Sequence, residues 1–294
     1  MKTIILSISY FFLSLTTLCA QSFNHEIINE NKDTLLLGKI NKQKLATLPY
    51  SSWFMSGYEN YIPKQKSIDS IKHTLDQYTI TLFLGTWCGD SKREVPRFYK
   101  ILEESEFSLD RLTTIAVDRK RKSYKQSPGG EHEGLTIHRV PTIIFYKNGK
   151  EINRITESPV ITLEDDIIAI LNQEYTSKYQ SVTIVDSLLT TKGLKYFSEK
   201  RDKIAKQLST ESFSELNTYG NVLFFADRKE EAIEICHLNT ILYPKEANTY
   251  ISLANKYVAT HTIEKAITYY KKSLEFSDNE NVSKKIKELE DSLN

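Results

Sequence analysis

The chain of 294 residues carries 39 Lys and Arg against 38 Asp and Glu, a formal net charge of +1, and 40% of it is hydrophobic, with 17 Tyr and 13 Phe. That length corresponds to about two domains with cores of their own, and so many aromatic rings exclude a long disordered chain. Near-zero charge supplies no broad field for nucleic acid or an anionic bilayer, and 3 cysteines are too few for a disulfide scaffold and are not grouped as in a structural zinc site.

The start reads as an address. Lys2 precedes an uncharged run from Ile4 to Leu18, and small residues surround Cys19 and Ala20. About 15 apolar residues fall short of the roughly 20 that cross a bilayer as a helix, so residues 1–20 are expected to be a cleaved signal peptide. Export to a periplasmic or extracellular space follows, with no stable transmembrane span. A lipoprotein acylated at Cys19 is the competing reading, weakened by Leu18 where that signal wants a small residue. After cleavage Cys88 and Cys236 remain in an oxidising compartment, where each thiol must be used or buried.

Residues 21–66 show no clean period and are expected to form a loop-rich cap. Its Tyr50, Trp53, Phe54, Tyr58 and Tyr61 would pack on the next domain, with a substrate-gripping surface as the sharper alternative. Residues 67–174 read as one unit. Ser67 is placed to cap a short helix whose Ile68, Ile71 and Leu75 share a face. The run YTITLFLG has the apolar, β-branched character of a buried central strand and leads into a helix with Val95, Phe98, Ile101 and Leu102 on one side. LTTIAVD is a second strand ending at Asp118. Arg119, Lys120, Arg121, Lys122 and Lys125 follow as a solvated loop, or as an attraction for an acidic partner. PTIIFYK and KEINRIT form a hairpin across Asn148-Gly149, and a helix from Thr162 closes the unit.

Residues 175–208 are a helical connector, and 209–294 contain a repeat. Leu216, Tyr219, Gly220, Leu223 and Ala232 recur 34 residues later as Tyr250, Leu253, Ala254, Tyr257 and Ala266. That spacing and the small residues at helix crossings resemble tetratricopeptide repeats, followed by a capping helix.

Cys88 begins a predicted helix. Unpaired backbone N–H groups and the positive end of the helix dipole favour thiolate over thiol there, and Lys92 and Arg93 add positive charge that Asp90 opposes. Trp87-Cys88-Gly89-Asp90-Ser91 after a strand, Pro96 eight residues beyond the cysteine, Val140-Pro141-Thr142 opening a strand, and the tail PTIIFYKNGKEINRI together resemble the thioredoxin superfamily. The resemblance implies an α/β fold, a mixed central sheet flanked by helices, followed by the all-α repeat domain. It implies a cis Pro141 in a loop beside Cys88, with Val140, Pro141 and Thr142 forming a peptide groove. Pro96 would bend the active-site helix, and Cys88, Ser91 and Trp87 would form the catalytic set.

Three departures limit that inheritance. Ser91 stands where the family has its second cysteine, Leu82 where it has a buried Asp, and Asp90 where thioredoxin itself has Pro. A hydroxyl cannot resolve a mixed disulfide. The resemblance therefore implies monothiol exchange with a protein client or small thiol, released by an external thiol, with Ser91 donating to the thiolate. A noncatalytic interaction scaffold is the competing reading. Cys236 is expected to be a buried thiol. His25, His73, His132, His138, His237 and His261 lack metal spacing and no Gly-rich phosphate loop occurs, so no metal or cofactor is expected.

Overall fold

The computed structural model describes residues 23–293, so the signal-like start and Cys19 lie outside the described residues. A hairpin of β1 (His25–Ile28) and β2 (Thr34–Ile40) comes first, then α1 (Lys42–Leu45), α2 (Ser51–Glu59) and α3 (Gln65–Ile71). Next are β3 (Thr79–Leu84), α4 (Gly89–Glu104) and β4 (Leu112–Ala116), then β5 (Thr142–Lys147), β6 (Lys150–Thr156) and α5 (Leu163–Leu171).

The six strands form one sheet in the order β1-β2-β4-β3-β5-β6. β3 runs parallel to β4 and antiparallel to β5, so it is hydrogen-bonded on both edges. Its composition fits that place. Ile80, Leu82 and Leu84 join one core with Val95, Phe98, Ile101 and Leu102 of α4, while Phe83 faces a second cluster with Ile115, Val117, Ile137, Val140 and Ile144. A strand buried on both faces requires an apolar run rather than strict alternation. Asn148 (φ 52°) and Gly149 (φ 75°) form the β5–β6 turn, as the left-handed values of a tight hairpin demand. Thr162 caps α5 by accepting from the Asp165 N–H at 3.1 Å.

Two expectations for the N-terminal part are corrected. The described residues of that segment, 23–66, are not loop-rich: Leu35, Leu36 and Leu37 are buried in a strand, and β2 adds antiparallel to β4 and widens the sheet. Trp53, Phe54 and Tyr58 lie on α2 with Tyr50 at its N-cap; Tyr50, Phe54 and Tyr58 join the main core, and Trp53 and Tyr61 pack against it. Close approach of α2 to α4 depends on Gly57, because a Cβ there would stand 2.9 Å from Pro96 Cγ. Ser67 does not cap α3. The cap position is Lys64, without a side-chain bond, and Ser67 is buried in the helix.

The rest is helical: α6 (Gln180–Gln207), α7 (Ser214–Phe225), α8 (Lys229–Leu242), α9 (Ala247–Ala259), α10 (Ile263–Leu274) and α11 (Glu280–Asp291). Gly193 (φ 80°) breaks α6 into two segments. Leu216, Tyr219, Leu223 and Ala232 are buried, and so are Tyr250, Leu253, Tyr257 and Ala266 at the matching places of the next pair. A Cβ on Gly220 would lie 3.3 Å from Cys236 Sγ, which shows how closely α7 crosses α8. Among the described residues no helix is long and apolar enough to cross a membrane.

Candidate functional site at Cys88

Cys88 is the N-cap of α4, with extended backbone (φ −92°, ψ 128°), half-buried between the end of β3 and the loop before β5. Its N–H donates to Gly85 O at 2.8 Å and its carbonyl accepts the first helical bond, from Lys92 N–H at 3.0 Å. The thiol lies 3.2 Å from the carbonyl oxygen of Val140. The Val140–Pro141 peptide is cis, Pro141 O accepts from Glu157 N–H at 2.7 Å, and the Thr142 hydroxyl donates to Arg139 O at 2.7 Å. The loop is thus pinned on both sides of the proline, and Cys88, Val140, Pro141 and Thr142 come together.

Trp87 and Ser91 serve the site by holding its turn. The Trp87 indole donates to Val117 O at 3.0 Å and packs against Gly85, where a Cβ would be 2.6 Å from Cε2. Ser91 is fully buried, and its hydroxyl accepts from Gly85 N–H at 3.2 Å. That bond ties the first turn of α4 back to the strand end. Pro96 lies further along α4, buried and against Gly57 of α2.

The residue that sequence reading placed in solvent is the informative one. Lys125 is only 5% exposed, with left-handed backbone (φ 59°), and its Nζ donates to the Tyr124 hydroxyl at 2.7 Å. Its N–H donates to Asp118 O at 3.0 Å, while Asp118 N–H donates to Gln126 O at 2.9 Å, so the loop folds back on the end of β4. Burial, aided by Arg139, pushes the Lys125 ammonium down to about 7, and the Cys88 sulfur and Glu157 act in the opposite sense. A buried amine that exchanges its proton near neutrality therefore sits within electrostatic reach of the thiol. The sequence offered no signal separating Lys125 from its four basic neighbours, because burial depends on how the loop turns.

The helical part reaches the same loop. Arg139 donates to Glu157 Oε1 at 2.8 Å and to Ser214 Oγ at 3.3 Å, and stacks 5.1 Å from the Tyr179 ring centre. Tyr179 in turn donates to Glu157. Gln126 donates to Phe225 O at 2.8 Å. His138, next to Arg139, is buried against the edges of Tyr179 and Tyr219, and burial pushes its imidazolium down to about 3, so it is neutral.

Cys236 is not in this site. It is a buried free thiol between α8 and α9, 3.8 Å from Ser252 Oγ, and burial raises its pKa. No group of three or more His, Cys, Asp and Glu side chains is placed to hold a metal ion among the described residues.

No protein-family model matches the chain. It is similar to Thioredoxin-1 of Schizosaccharomyces pombe, 30% identical over 94 residues, which make up 32% of this chain and 82% of that protein. It is also similar to Thioredoxin-2 of Saccharomyces cerevisiae, 29% identical over 87 residues, 30% of this chain and 74% of that protein.

Proposed function

Because the chain belongs to the thioredoxin family, we propose that it carries out monothiol thiol–disulfide exchange with Cys88 as nucleophile. The observation that carries the reading is the thiol at the start of α4, 3.2 Å from the carbonyl that precedes the cis proline. An extended peptide laid along Val140–Thr142 would bring a disulfide to that sulfur. The Cys88 thiolate attacks one client sulfur, a new bond joins the two, and the other client sulfur leaves as thiolate. An external thiol then attacks the client sulfur of the mixed disulfide and releases Cys88. The product is a disulfide between client and external thiol, and no net oxidant is consumed. Lys125, buried with its Nζ on the Tyr124 hydroxyl, lies within electrostatic reach of the Cys88 sulfur, which favours its ammonium form. Ser91 and Trp87 hold the turn in which the sulfur is presented.

The reading extends to the whole chain as an exported protein with residues 1–20 as its signal and with tetratricopeptide-like helices that recruit a protein client. The test is intact-mass spectrometry after incubation with a small symmetrical disulfide. The wild-type protein gains one adduct, and Cys88→Ala gains none under native conditions. Absence of the adduct from wild type, or equal labelling of Cys88→Ala through Cys236, refutes it. The scaffold reading keeps one observation in its favour, the anchoring of Arg139 to Ser214 of α7, which binds the groove to the helices.

A further inference from the structure

Between the β4–β5 loop and the helices lies an open cleft of about 670 Å³. Arg119, Arg121 and Tyr124 form one wall, and α7 and α9 supply Asn217, Asn221, Asn255 and Lys256 on the other. Its polar groups are unusually one-sided. Lys256 is only 6% exposed, and its Nζ is bonded to the Asn221 amide oxygen, near the Phe224 ring at 4.9 Å. Neither it nor Arg119 or Arg121 forms an ion pair among the described residues. Burial lowers the pKa of Lys256; the Cys236 sulfur works against this, and Arg121 works in the same direction as burial. A buried cation with a second cation nearby and no carboxylate is unfavourable unless an anion completes it.

The asparagines say what kind of anion. Asn221 and Asn255 occupy the same place in consecutive helix pairs, 34 residues apart in sequence. The Asn255 oxygen accepts from the Tyr270 hydroxyl at 2.6 Å, so its amide N–H groups remain for another acceptor. The Asn217 amide oxygen is buried without a partner. A row of amides offering both donors and an acceptor matches the alternating C=O and N–H groups of an extended polypeptide, and the cations match its carboxylates. At its loop end the cleft reaches Tyr124, which interacts electrostatically with Cys88.

We propose that this cleft binds an acidic segment of an extended polypeptide, and, resting on the exchange reading above, that this segment belongs to the client whose disulfide meets Cys88.

The test uses the full chain and a fluorescein-labelled Asp-Ser repeat peptide, read by anisotropy against its Asn-Ser isostere. The acidic peptide binds about tenfold tighter or more, its binding weakens with salt, and Lys256→Met removes most of the preference. Arg119→Gln with Arg121→Gln, both on the exposed loop, lowers it severalfold and carries the test if Lys256→Met fails to fold. Equal binding of the two peptides, unchanged binding by the folded variants, or displacement of the acidic peptide by an equimolar uridine oligonucleotide overturns the proposal. A second arm attaches each peptide through a cysteine to thionitrobenzoate and follows its release by Cys88. Tighter acidic binding with no release keeps the cleft and refutes the exchange chemistry. Equal release rates from both peptides, with equal binding, keep the chemistry and refute the cleft.

Discussion

Replacing Lys125 with Met keeps the length and the left-handed backbone while removing the buried amine. Burial holds that amine near about 7 instead of 10.5, and the gap corresponds to about 5 kcal/mol against the charged form. Below the folded value both states hold the proton, and the folded protein bears the whole cost. Between the two values the unfolded chain keeps a proton that the folded one has released, so stability rises with pH; above 10.5 nothing of the cost remains. About 2.5 kcal/mol of that rise falls between about pH 6 and about pH 9. Urea unfolding of wild type and Lys125→Met at those two pH values isolates it, since every other titrating group is common to both. The variant is expected to be the more stable at the lower pH, with the difference shrinking by that amount at the higher. In a Cys88→Ala background the rise begins at lower pH, because the sulfur no longer favours the ammonium. Parallel pH dependences in wild type and variant would refute the burial and the coupling together.

Gly85→Ala drives a methyl into the Trp87 ring; a loss of about 1–3 kcal/mol and a shifted tryptophan emission are expected, and an unchanged spectrum and midpoint would refute the close contact. Leu36→Ala, in a fully buried position of β2, is expected to cost about 2–5 kcal/mol in one cooperative transition. A change under about 0.5 kcal/mol would return the N-terminal hairpin to the status of a detachable cap. Arg139→Met leaves Glu157 without its cation and severs the bonds to Ser214; about 1–3 kcal/mol is expected, together with faster amide exchange at the start of α7. Unaltered exchange there would show that the helices are held to the loop by other contacts.

The elements that sequence made legible are those whose pattern is local. β3 is an uninterrupted apolar strand, α4 repeats its buried residues at helical spacing, and Asn148-Gly149 has a single good use. The cysteine at a helix start and the prolines were visible for the same reason. The hairpin of β1 and β2 was not, because Leu35-Leu36-Leu37 is a short run among polar residues and becomes a strand only through β4, which arrives much later in the chain. Ser91 was legible as a missing cysteine, but the bond its oxygen accepts from the Gly85 N–H is a contact no spacing rule foretells. Lys125 was hidden most deeply, since one of several basic residues in a loop turns inward while Arg119, Lys120 and Arg121 stay exposed.

A chain ending after α5 would retain all six strands and the turn that presents Cys88. It would nonetheless lack the acceptor for Gln126 at Phe225 and the partner of Arg139 at Ser214. The loop that buries Lys125 and the loop that holds Pro141 would each lose an anchor at once. Shortening the protein, or exchanging its helical tail with that of a relative, is therefore chemically equivalent to mutating the neighbourhood of the thiol, even though no residue near Cys88 in sequence has changed.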